Sequence, residues 1–68
     1  MLRIEITRHA AERMVERNMS EAEVRQALTP PTTITQGKGE KLVAAKNGIR
    51  VVHAVKPDRI VVVTVTRS

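Results

Sequence analysis

The sequence predicts an α+β domain of order β-α-α-β-β-β, a helical hairpin packed on one face of an antiparallel sheet. Three observations carry this prediction. Leu2 to Thr7 alternates apolar and polar residues, the period of a half-buried strand. Two helical stretches then follow with no room for a strand between them. From Lys41 onward the chain reads as strands separated by Asn47-Gly48 and Pro57-Asp58, both turn-forming pairs. The 68 residues make a single domain, 1–68.

Taken in order, Leu2, Ile4 and Ile6 form the buried side of the first strand. Thr7 is placed to N-cap the first helix, and Asn18 to end it in a left-handed conformation. Within that helix Ala10, Ala11, Met14 and Val15 recur as an apolar stripe directed at the core. His9, Arg13 and Arg17 stack along another side at i, i+4 and i+8, with Glu12 and Glu16 in reach. Ser20 opens the second helix with a capping box, Ser-Glu-Ala-Glu, in which Glu23 reaches back to the Ser20 amide. Met19 and Val24 form its hydrophobic staple, and Val24, Ala27 and Leu28 its buried side. Pro30 and Pro31 stop it.

Thr32 to Gln36 is a short β-prone run, and Gly37-Lys38-Gly39 breaks it. Lys41–Lys46, Ile49–Lys56 and Arg59–Thr66 are the later strands. Two-residue turns set Lys46 against Ile49 and Lys56 against Arg59. One face then collects Leu42, Ala44, Ile49, Val51, His53, Val55, Ile60, Val62, Thr64 and Thr66. The other collects Val43, Ala45, Val52, Ala54, Val61, Val63 and Val65, rimmed by Lys41, Arg50, Lys56, Arg59 and Arg67. The larger side chains place the helices on the first face. The second, a shallow apolar floor with a cationic rim, is a candidate surface for RNA or a protein partner.

Composition narrows the chemistry. The net charge is +5 and there is no Phe, Tyr, Trp or Cys. The sequence pI is about 10.8, which favours contact with polyanions, nucleic acid first. Two histidines on separate elements and no cysteine make no metal-ligand set, and Gly37-Lys38-Gly39 is no phosphate-binding fingerprint, so no cofactor is expected. No apolar run approaches the ~18 residues of a membrane span. Met1 to Ile6 lacks the long apolar region of a signal peptide, so a cytoplasmic protein is expected. A chain this short buries only about 60% of its unfolded surface, and without aromatics its core is small. That points to a protein partner or a homodimer.

The run T-R-H-A-A-E-R-M-V-E-R-N-M-S-E-A-E-V, followed by L-T-P-P and the ending V-V-V-T-V-T-R-S, resembles a small bacterial domain-of-unknown-function family. That family is marked by H-A-x-x-R-x-x-x-R and a closing T-V-Y-R, and it is grouped with RelE-like toxins in the class of barnase, EndoU and colicin nucleases. The resemblance covers nearly the whole chain. It places His9, Arg13 and Arg17 on the family's helix motif and Thr64 on its terminal threonine. G-I-R-V-V-H-A-V, from Gly48 to Val55, resembles the RelE hairpin strand whose arginine faces RNA phosphate, the place that Arg50 holds. The chain departs from the pattern in three ways. His53 stands where an aromatic is usual, Thr66 replaces the late tyrosine, and the chain ends at Ser68 without the C-terminal functional segment of RelE-type enzymes.

Two functions follow. The first is a RelE-like toxin-type ribonuclease that cleaves RNA through its own 2′-hydroxyl without metal, neutralised by an antitoxin covering the basic sheet face. His9 and His53 would then supply the acid and base, Arg50 would hold the reacting phosphate, and Arg13, Arg17, Lys41 and Arg67 would bind substrate. The alternative is a catalytically silent RelE-like module that binds a protein partner or nucleic acid. His9 and its arginines favour the first, and the missing tyrosine and short C-terminus the second. In the plainer reading His53 is a satisfied core histidine, Arg13 and Arg17 pair with Glu12 and Glu16, and His9 packs against Thr64. Either way, His9 and Thr64 are expected where the first helix meets the last strand.

Overall fold

The computed structural model describes residues 3–29, 31 and 33–67. The expectations for Leu2, Pro30 and Thr32 lie outside the described residues. Seven elements follow in chain order: β1 (Arg3–Ile6), α1 (Arg8–Glu16), α2 (Glu21–Leu28), β2 (Thr33–Gln36), β3 (Leu42–Lys46), β4 (Ile49–Val55) and β5 (Arg59–Arg67). The α+β class and the helical hairpin are as the sequence predicts. The sheet differs in two respects. It has five strands, in the order β1-β5-β4-β3-β2, and β1 lies parallel to β5, so the sheet is mixed. The β-prone run before Gly37 forms a full edge strand, β2, antiparallel to β3.

Local chemistry sets the helix ends. The Thr7 hydroxyl accepts the Ala10 N–H at 3.2 Å and caps α1. Asn18 takes a φ of 53°, and the Met19 N–H reaches the Met14 carbonyl at 2.8 Å, closing the left-handed helix stop. The capping box of α2 is complete: Ser20 N–H donates to Glu23 Oε1 at 3.0 Å, and Glu23 N–H donates to Ser20 Oγ at 3.1 Å. Met19 and Val24 are both buried in the core.

The core lies between the helices and one sheet face. α1 packs on β5, and α2 on β3 and β4. Ala10 and Met14 carry α1 into the core, while Val24, Ala27 and Leu28 carry α2. The expected stripe of α1 is therefore too wide. Ala11 is exposed, and Val15 is 81% exposed. α1 packs on β5, and α2 lies over β3 and β4, so no described residue covers the Ala11–Val15 flank.

The turn at Asn47-Gly48 has φ values of 54° and 80°, the left-handed pair that a two-residue hairpin requires, and Lys46 faces Ile49 as expected. β4 and β5 start in the expected register, with Val55 against Ile60 and His53 against Val62. A bulge then intervenes: Val52 faces Thr64 rather than Val63. Every later residue of β5 changes face. Val65 becomes a fully buried core residue, and Thr64 and Thr66 move to the open face. The expected contact of Thr64 with His9 is thereby lost. His9 is exposed on α1, and Thr64 stands beside Val52 on the opposite side of the sheet.

Thr7 holds the bulge. Its hydroxyl lies 2.9 Å from the Val62 carbonyl and 3.2 Å from that of Val63, and its N–H donates to Val62 at 3.2 Å. The end of β1 is thus tied to the stretch of β5 where the bulge lies.

Candidate anion-binding site on the open sheet face

Strand alternation divides the chemistry-bearing residues between two sides. In β4 Arg50 is exposed between buried Ile49 and Val51. Across the sheet its row is Thr33, Ala45, Arg50 and Thr66. The next row is Thr35, Val43, Val52 and Thr64. The floor is therefore small and apolar, with threonine hydroxyls on both flanks. At the Arg50 end, an open pocket of about 250 Å³ lies between β2 and the β3–β4 turn, with Thr33, Ala45, Lys46 and Arg50 among its lining residues.

Arg50 has no acidic partner among the described residues, which leaves its guanidinium free for an anion. Other cations of this face are engaged. Lys56 Nζ lies 2.9 Å from Glu40 Oε1 and holds the Glu40 carboxyl below its ordinary value. Arg59 lies 3.0 Å from Asp58, and its Nε is 3.3 Å from Glu5, an ion pair without hydrogen-bond alignment. Lys41 is exposed just before β3, four residues from Ala45. At strand rise it is ~13 Å from the Arg50 row and belongs to the far end of the face.

The remaining expected residues lie elsewhere. His53 is 4% exposed on the helix side, and its Nδ1 lies 3.1 Å from the Val51 carbonyl, an acceptor that fixes the N–H on Nδ1. It is the satisfied core histidine of the plainer reading. Arg50 and His53 stand three residues apart in one strand, so they point to opposite faces and cannot share a phosphate. His9 is on the outer surface of α1, again on the helix side. Arg13 bonds Glu16 at 2.7 Å, and Arg17 is exposed at the helix end. The set His9, Arg50 and His53 is thus not assembled into one site.

Arg67 also leaves the open face, because the bulge turns it toward the helices. Its guanidinium meets Glu23 at 3.2 Å and the Asn18 carbonyl at 3.4 Å, tying the end of β5 to the helical corner. Arg67, expected to bind substrate with the open-face cations, therefore lies on the helix side in this staple. Thr33 and Thr66, neither of them expected as a site residue, are the residues that flank Arg50 in its row. The pairing of β2 with β3 brings in Thr33 and the bulge brings in Thr66, and neither event has a local signature.

Among the described residues no group of three or more His, Cys, Asp or Glu gathers to hold a metal, and no helix is long and apolar enough to cross a membrane. A family model described as Domain of unknown function (DUF4258) matches residues 6–67. No curated protein and no solved structure matches the chain.

Proposed function

The chain belongs to the DUF4258 family, and on that footing we propose that it is a catalytically silent, RelE-like module that binds the phosphate backbone of RNA on its open sheet face, anchored by Arg50. The observation that carries this reading is the exposed Arg50, without an acidic partner among the described residues, at an open pocket that Thr33 also lines. A guanidinium grips phosphate through two parallel hydrogen bonds, and the threonines of its row, Thr33 and Thr66, offer hydroxyls on either flank. The resemblance of the Gly48–Val55 strand to the RelE hairpin supports the same role. With no Phe, Tyr or Trp, bases have no such aromatic platform, so binding rests on phosphate contacts and arginine stacking and discriminates little among sequences.

The ribonuclease reading receives less support. Cleavage through a 2′-hydroxyl needs a base and an acid within hydrogen-bond reach of the phosphate that Arg50 holds, and both histidines lie on the other side of the sheet.

The test is titration of a fluorescent single-stranded RNA with wild type, Arg50→Ala and Arg59→Ala, all matched by thermal melt. Arg50→Ala is expected to weaken binding about tenfold or more, the scale of a lost charged hydrogen-bond pair, and Arg59→Ala to do much less. Equal weakening by both would reduce Arg50 to one charge among many. Cleavage of the RNA by wild type but not by a His9→Ala, Arg50→Ala double variant would restore the nuclease reading.

A further inference from the structure

The two edges of the sheet are built differently. β1, the first edge, carries Arg3 and Glu5, charges of the kind that discourage another strand from pairing. β2, the other edge, is Thr33-Ile34-Thr35-Gln36, exposed along its whole length. It has no charge, no proline and no glycine, and its register with β3 runs without a bulge. Its residues favour extended backbone, and Ile34 is 54% exposed on the helix side of the sheet. Shortness apart, the usual means of blunting an edge are therefore missing from β2, and among the described residues no strand pairs with its outer side.

The surroundings of β2 say what fits there. Lys46 and Arg50 share the pocket that Thr33 opens at one end. Lys38 and Lys41 stand at the other end, where the chain reverses through Gly37 N–H to Lys41 carbonyl at 2.9 Å. Lys38, Lys46 and Arg50 make no ion pair among the described residues. A neutral, hydrogen-bonding edge between clusters of free cations is complementary to an extended, acidic strand.

We infer that β2 is a docking edge for an extended acidic segment of another protein, which adds to the sheet as a sixth strand. Side chains of that segment level with Thr33 and Thr35 project over the open face, where a carboxylate meets Arg50. Those level with Ile34 project on the helix side, where an apolar group covers Ile34. Backbone hydrogen bonds supply the affinity, and the alternation of acidic and apolar side chains supplies the choice of partner. A second copy of this chain fits less well. Pairing β2 with itself would bring two sets of Lys38, Lys46 and Arg50 together, and these like charges repel. The inference does not depend on RNA binding, because it rests on the backbone of β2.

The experiment is a titration of the isotope-labelled full chain with a capped (Glu-Val)4 peptide, followed by amide shifts and hydrogen exchange. Two probes control it: the same peptide N-methylated at alternate amides, and (Lys-Val)4. The (Glu-Val)4 peptide is expected to shift and protect the amides of residues 33–36. The N-methylated form should bind at least about tenfold more weakly, the effect of losing two net hydrogen bonds, and (Lys-Val)4 should not bind. Ile34→Glu, a change at an exposed site, should abolish binding while leaving the melt unchanged. Equal binding of the N-methylated peptide would show mere charge attraction and overturn strand addition, as would no response at residues 33–36. Protection of β2 that rises with protein concentration alone would assign the edge to a second copy instead. RNA titrated into the same sample reads the Arg50 proposal separately.

Discussion

Thr7 joins three parts of the chain. It caps α1, donates to the carbonyls of Val62 and Val63, and stands where β1 ends. Thr7→Val keeps the shape but removes both functions of the hydroxyl. Loss of the cap costs about 1 kcal/mol, and the weakened bulge adds to it, so a total of about 2 kcal/mol is expected by urea denaturation. Thr7→Ser should retain most of the stability, and equal loss in both variants would show that the methyl group rather than the hydroxyl matters. Of Thr7's two roles, the cap was legible, because capping depends on residues three apart. Its bond to a bulge 55 residues away was not, because nothing near Thr7 encodes the partner. Arg50 was legible as an exposed cation by alternation alone, whereas its lack of an acidic partner among the described residues is a property of the folded surface.

At the scale of elements, the β5 bulge and the α2 capping box meet through Arg67. The Ser20 backbone N–H holds the Glu23 carboxyl below its ordinary value of 4.5, and the Arg67 guanidinium lowers it further. A carboxyl whose pKa is depressed on folding stabilises the fold above its unfolded pKa, and that contribution is lost as pH falls through the folded value. Wild type should therefore lose stability on acidification below pH about 4.5, and Glu23→Gln should flatten that branch of the curve. Urea melts across pH check this, and an unchanged acid branch would remove Glu23 from the linkage. The capping box itself could be read from Ser20 and Glu23. The partner Arg67 could not, since a simple two-residue turn puts it on the far face. The same holds for α1: periodicity marked Ala10, Ala11, Met14 and Val15 alike, but only Ala10 and Met14 have something to pack against.

The whole molecule is held by small side chains. Val24, Val51, Val62 and Val65 are the largest fully buried residues, and no aromatic adds to them. Val51→Ala removes two methyl groups from the centre of the sheet and is expected to cost about 2 kcal/mol. For a domain of this size that lowers the melting temperature by about 10 °C, measurable by circular dichroism. A loss under about 2 °C would mean that the neighbours close over the gap. By itself the sequence determined the α+β class, the helix caps, the hairpin turn and the positive charge. These follow from residues a few places apart or from composition, and so they are written locally. Tertiary structure alone decided that β1 runs parallel to β5, that a bulge exchanges the faces of Val65 and Arg67 with those of Thr64 and Thr66, and that the two histidines are separated from Arg50 by the sheet. Those outcomes depend on which strand lies beside which, and a one-residue shift in pairing reverses every side chain beyond it.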